Sequence, residues 1–153
     1  MKCQAKIIMA FVMLAVFIAG CTSNSDINNS ISSKAELSSA KVEKIEVFHF
    51  HGNHQCASCI AVGSLAEDTV NTYFSEEVKS GKVVFAHING ELPENNDLVV
   101  KYGATGSSLW IGTYTKDGQF KAEQNVNVWY KINNKEEYMD YLKGVIEQKL
   151  AGE

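Results

Sequence analysis

Two cysteines and three histidines fall within the segment His49-Phe50-His51-Gly52-Asn53-His54-Gln55-Cys56-Ala57-Ser58-Cys59. The Cys-x-x-Cys follows an apolar, strand-like run and a short polar loop, and it stands where a helix begins. A thiolate at that place lies against unpaired backbone N–H groups and the positive end of the helix dipole, so its pKa falls toward neutrality. Cys56 is thereby the expected nucleophile, and Cys59, one turn on, the sulfur that resolves a mixed disulfide. His51 or His54 is expected to stabilise the Cys56 thiolate as an imidazolium, or to carry the proton that the exchange must move. A plainer reading stands beside this one. By strand alternation His49 and His51 share a side with Val47, opposite Phe48 and Phe50, and either serves equally as a hydrogen-bonded core residue, His49 more readily than His51 at the strand end. His87 reads as a core or edge residue. The cysteine pair itself also admits two other roles. With His51 and His54 it offers ligands for a soft ion such as Cu(I), Zn(II) or trivalent arsenic, although a zinc site ordinarily shows two well-separated ligand pairs. An inert staple closing so short a loop would constrain few unfolded conformations.

The elements that hold these residues follow from periodicity. Lys44 to Phe50 and Lys82 to Asn89, rich in β-branched and aromatic residues, read as strands. Between them, Cys59 to Lys79 places Val62, Leu65, Ala66, Thr69, Val70, Tyr73, Phe74 and Val78 at helical spacing and stops at Ser80-Gly81. A helical crossover of that length makes the two strands parallel. A short helix, Asn95 to Tyr102, ends at Gly103. Ser107 to Thr115 and Gln119 to Val128 read as strands joined through Lys116-Asp117-Gly118, where Asp-Gly is a hairpin signal. The last helix takes Asn133 or Asn134 as N-cap and lines up Tyr138, Tyr141, Leu142, Val145, Ile146 and Leu150 on one face. Trp110, Trp129 and the helix tyrosines read as core, and Glu67-Asp68 and Glu76-Glu77 as solvated helix faces. The order is β-α-β-α-β-β-α.

Upstream, Lys2 and Lys6 precede an unbroken apolar run from Ile7 to Ala19, which reads as a secretory signal, too short for an ordinary membrane span. Its end, Ile18-Ala19-Gly20-Cys21, resembles the lipobox of exported lipoproteins, with residues 1–20 removed and Cys21 carrying lipid. The competing reading is an uncleaved anchor helix that ends by chance in Gly-Cys; either way the body lies outside the cytoplasm. Residues 21–42 are polar without an apolar face and read as a tether. Residues 43–153 make one domain. Cys3 leaves with the signal, so Cys56 and Cys59 are the only thiols left to the folded part. Without Lys2 and Lys6 the chain has 12 lysines against 18 acidic residues, a net charge of −6, and no arginine. That charge argues against a nucleic-acid partner.

The element order, with Cys56-x-x-Cys59 at the junction of first strand and first helix, resembles the thioredoxin fold, an α/β three-layer sandwich about a mixed sheet. More narrowly, Phe50-His51-Gly52 before the cysteines, then Tyr102, Ser108-Leu109, Lys116-Asp117-Gly118 and Trp129, resembles the family of nitrophenyl compound nitroreductase subunit ArsF. The resemblance implies an exported thioredoxin-like protein working beside membrane proteins in handling aromatic nitro and arsenical compounds. Three features depart from the thioredoxin pattern. Its cis-proline has no counterpart, since Pro93 is the only proline and Gly106-Ser107-Ser108-Leu109 fills that stretch, where a non-proline cis bond would cost ~3 kcal/mol and a trans peptide is expected. The inner dipeptide is Ala57-Ser58, and no counterpart is read for the acid that many thioredoxins carry in the first strand.

Two functions from different classes follow. One is a thiol-disulfide oxidoreductase with no cofactor beyond its Cys56–Cys59 couple. It would relay electrons between a membrane thiol reductase or permease and an extracytoplasmic disulfide or small-molecule acceptor, held to the bilayer through Cys21. The other is a soft-ion binding protein using Cys56, Cys59, His51 and His54. Replacing Cys21 by Ala is expected to leave an uncleaved or soluble form, and detergent partitioning left unchanged by Cys21→Ala would remove the lipid anchor from either account.

Overall fold

A strand buried on both faces organises the domain. In the computed structural model, which describes residues 41–153, this strand is β1, Val42–His51, and nearly every side chain from Ile45 to Phe50 is out of solvent. The signal, Cys21 and nearly all of the tether lie outside the described residues. After β1 come α1 (Ala57–Tyr73), α2 (Ser75–Lys79), β2 (Val83–Asn89), α3 (Asn96–Tyr102), β3 (Ser108–Thr115), β4 (Phe120–Gln124) and α4 (Lys135–Ala151). The sheet order is β2-β1-β3-β4, with β1 parallel to β2 and antiparallel to β3, and β3 antiparallel to β4. This is the mixed, thioredoxin-like α/β sheet that the sequence resemblance implies. Among the described residues no helix is long and apolar enough to cross a membrane.

Alternation along β1 sends its side chains into two separate cores. Ile45 and Val47 join Val62, Ala66 and Val70 of α1 and Tyr138, Leu142 and Ile146 of α4 on one face. Phe48 and Phe50 meet Ile88, Tyr102 and Ala104 on the other, under α3. Each large aliphatic side chain buried this way contributes about 1.5–3 kcal/mol, and the Tyr138 hydroxyl, buried with α4, donates to the Val62 carbonyl at 2.7 Å.

Three boundaries differ from the periodic reading. The first helix does not run unbroken to Lys79: Phe74 leaves the helical region at φ −125°, ψ 26°, with its ring still in the core. The chain turns there, through α2 and the turn at Gly81, toward β2. The last strand stops at Gln124 instead of Val128. Asn125 makes the final ladder bond to the Leu109 carbonyl at 2.8 Å, and the next residues coil into a 3₁₀ turn that drives Val128 into the α1–α4 core. The first strand begins at Val42, the last residue assigned to the tether. Of the residues read as core, Tyr138 is fully buried, whereas Trp110, Trp129 and Tyr141 are half-buried.

The first strand does contain a buried acid. Glu46, on the α3 face, accepts from the Tyr102 hydroxyl at 2.7 Å, the Tyr114 hydroxyl at 2.8 Å and the Lys44 ammonium at 2.7 Å. Burial alone would raise its pKa, but these donors together hold it below the usual carboxylate range. The same contact pushes Tyr114 up to about 12, burial being the larger cause. A methyl group on Gly112 would overlap the Tyr102 hydroxyl, which accounts for glycine in the middle of β3. Tyr102→Phe is expected to lower unfolding free energy by ~1.5–3 kcal/mol, the range for a hydrogen bond to a charged group. Denaturant unfolding measures it, and a neutral substitution would show that Glu46 does not depend on that donor.

Candidate functional site

Cys56 is the N-cap of α1, in extended conformation at φ −76°, ψ 162°, and its sulfur accepts the Cys59 N–H at 3.1 Å. An N-cap needs a side-chain acceptor for an otherwise unpaired amide, and here the acceptor is one sulfur of the Cys56-x-x-Cys59 pair. Cys56 and Cys59 are joined as a disulfide with their Cα atoms 5.0 Å apart. Cys56 is exposed and Cys59 half-buried.

The loop ahead of the cysteines is tied to the loop after β2. Asn89 donates to the Asn53 side chain at 2.8 Å, and the Asn53 amide donates to Glu91 at 3.0 Å. A Cβ at Gly52 would come within 2.6 Å of the exposed Glu91 carboxylate, which would have to swing aside. Between this loop and Ala104–Gly106 lies a cavity of about 220 Å³, also lined by His51 and Val99. No cis peptide occurs among the described residues, and the stretch after Gly106 is held instead by Ser108, whose hydroxyl donates to the Gly106 carbonyl at 2.9 Å and accepts from Trp110 at 3.0 Å.

The four histidines take separate places. His51 is half-buried and turns its Nδ1 toward the Gly52 carbonyl at 3.0 Å. His54 is exposed on the loop. Among the described residues neither forms a hydrogen bond with either sulfur. His49, read more readily as core, is 1% exposed and lies beneath the first turns of α1. Its ring occupies space left open by Gly63, where a Cβ would overlap the imidazole. Its Nδ1 stands 3.0 Å from Nδ1 of His87, so that one ring donates and the other accepts. His87, read as a core or edge residue, is exposed on β2, and its Nε2 lies 3.3 Å from Glu67 of α1. Glu67, read as part of a solvated face, is thus also the outer end of a chain running Glu67, His87, His49. The signal that would have placed His49 under α1 is Gly63: glycine inside a helix costs about 1 kcal/mol and marks a close approach.

Burial first, and then the neighbouring His87 and His51, push the His49 pKa down to about 4, while the backbone of Cys59 pulls the other way. His49 is therefore neutral near pH 7, with its Nε2 buried and lacking a hydrogen-bond partner. A neutral imidazole behind Cys59, joined through a second imidazole to solvent, can take up and pass on a thiol proton. The four residues named for a soft ion are not brought together. The sulfurs are bonded to each other, His51 faces a carbonyl and His54 faces solvent. Among the described residues no group of three or more His, Cys, Asp or Glu side chains is arranged to hold a metal ion.

No known family pattern matches the chain, and no curated protein does. Among solved structures it is similar to the first two thioredoxin domains of Eps1p from Naumovozyma dairenensis, at 17% identity and a TM-score of 0.37, over 68% of this chain and 36% of that one. The fold assignment stands on the sheet order and connectivity described above.

The depressed pKa of His49 has a definite sign in stability. Between about pH 4 and the ordinary value of 6.5, the unfolded chain binds a proton at this residue that the folded chain refuses. Stability from this source is fully present above pH 6.5 and falls as the pH drops toward 4, by about 3 kcal/mol in all. Denaturant unfolding of His49→Asn across that range is expected to show a flatter pH dependence than the native chain. An unchanged slope would mean that His49 is not the group responsible.

Proposed function

We propose that this protein is an enzyme, a thiol-disulfide oxidoreductase working outside the cytoplasm and held to a bilayer through Cys21. The observation that carries the redox reading is the Cys56–Cys59 disulfide at the start of α1, with the exposed sulfur serving as the helix cap. The export and anchoring are supported by the signal-like run and Cys21 in the sequence.

In the reduced state the Cys56 thiolate attacks one sulfur of an acceptor disulfide, and the other acceptor sulfur leaves and is protonated. Cys59 then loses its proton and attacks the Cys56 sulfur, closing the Cys56–Cys59 bond and releasing the second acceptor sulfur. Two electrons pass to the acceptor, whose released sulfurs take their protons from solvent, and a dithiol donor restores the pair by the reverse steps. The proton of Cys59 goes to His49 and leaves through His87. His51, beside the cavity at the end of β1, and His54, on the exposed loop, meet the incoming acceptor, and the amides at the start of α1 stabilise the Cys56 thiolate as it forms.

The donor in this account is a membrane thiol reductase or permease, and the acceptor an extracytoplasmic disulfide or small molecule. The resemblance to the ArsF family directs the small-molecule reading toward nitroaromatic and arsenical compounds. One dithiol turn delivers two electrons, which suits reduction of an arsenic centre by one step. Carrying a nitro group to an amine calls for a flavin or metal partner as the reacting group.

The test is a pair of trapping variants. Cys59→Ser is expected to accumulate a mixed disulfide through Cys56 when exposed to cell extracts or a model disulfide, and Cys56→Ser to accumulate none. Non-reducing electrophoresis followed by mass spectrometry reads both. Trapping by Cys56→Ser would reverse the two roles, and trapping by neither would end the redox assignment.

A further inference from the structure

The end of the domain away from the cysteines carries an open cleft of about 740 Å³, formed by the start of β1, the Ser80–Lys82 turn and Lys116. Lys41, Lys44, Lys82 and Lys116 line it, with Glu43 as the opposing carboxylate. Ion pairing elsewhere makes this end distinct. Residues 41–153 hold 11 lysines and 16 acidic residues, a net charge of −5. Seven of those lysines bridge to carboxylates, Lys44 among them through Glu46. Of the four with no carboxylate partner among the described residues, Lys101 donates to the Tyr114 hydroxyl at 2.6 Å. The other three, Lys41, Lys82 and Lys116, are exposed and all line the cleft. An acidic domain thus gathers its unneutralised cations at one end.

We infer that this end docks on the anionic phospholipid headgroups of the bilayer that holds the chain. The inference rests on the reading of Cys21 as a lipid anchor. The chain enters the domain at Lys41, so the cationic end is the part the anchor brings nearest the surface. A polar linker of the length between Cys21 and Lys41 has a root-mean-square reach of about 25 Å. Within that reach the three ammonium groups meet the headgroups at high effective concentration. The attraction acts over a Debye length of about 8 Å at physiological salt and is screened by more. Glu43 opposes it with a single charge. Because β1 starts at this end and finishes beside Cys56, a cleft-down domain holds its dithiol away from the lipid.

The experiment uses the full chain reconstituted into vesicles of phosphatidylcholine alone or with phosphatidylglycerol, labelled by a water-soluble amine-acylating reagent and read by mass spectrometry. Acylation of Lys41, Lys82 and Lys116 is expected to slow at least threefold in the phosphatidylglycerol vesicles and to recover in high salt, while Lys131 and Lys135, which do not line the cleft, keep their rates. Equal rates in the two vesicle types would overturn the docking. Flotation separates this from the anchor itself. A chain that fails to float with phosphatidylcholine overturns the lipid anchor, and docking then stands only if the chain floats with phosphatidylglycerol vesicles and Lys41→Glu, Lys82→Glu, Lys116→Glu combined abolishes that flotation.

Discussion

The fit of the His49 imidazole against Gly63 sets how closely α1 approaches the sheet. Any side chain at residue 63 would force the helix outward, and with it both cysteines. The contact requires a backbone without a Cβ on one side and a flat polar ring on the other, and the polar ring brings its own demand. A buried imidazole needs a partner for each nitrogen or loses the free energy of its hydration. His87 meets that demand at one nitrogen, and because His87 reaches solvent, the same arrangement that seats the helix opens a route from water to the underside of Cys59.

The two faces of β1 treat a buried ionisable group in opposite ways. Glu46 stays charged because two phenol hydroxyls and an ammonium converge on it. His49 stays neutral first because burial penalises the charged ring, and then because the neighbouring His87 and His51 disfavour a positive charge beside them. Each group is stable only in the charge state its neighbours select. One face is thereby fixed and inert to pH near neutrality, and the other holds an unprotonated base beneath the start of α1.

The order of elements, the parallel pairing of the first two strands, the two-sidedness of β1 and the cysteines at a helix start were legible because each is written in local spacing. The alternation Val47, His49, Phe48, Phe50 assigned each side chain to its face. What escaped depends on residues far apart in the chain. His49 and His87 are 38 positions apart, and Glu46 and Tyr102 are 56 apart; neither sequence neighbourhood hints at the other. Strand alternation already offered His49 as a core residue, but the only local trace of its place under α1 was a glycine where the helix would favour alanine. Proximity to the cysteines in sequence drew attention to His51 and His54, yet the strand delivers His49 under the helix because alternation, not nearness, decides which side chain points there. The break at Phe74 and the early end of β4 escaped for a related reason: the apolar pattern continues through both, while the sheet it must cover does not.

Since Cys56 is both the cap of α1 and half of the couple, helix stability and electron affinity form one thermodynamic cycle. A thiolate sulfur accepts the Cys59 amide better than a disulfide sulfur does, so whatever free energy the fold gives to the reduced cap is free energy with which it holds two electrons. The difference in unfolding free energy between the reduced and oxidised chains therefore equals the displacement of this couple from that of the same dithiol in an unfolded chain. A residue that tightens the first turn of α1 changes the driving force of the exchange without touching sulfur.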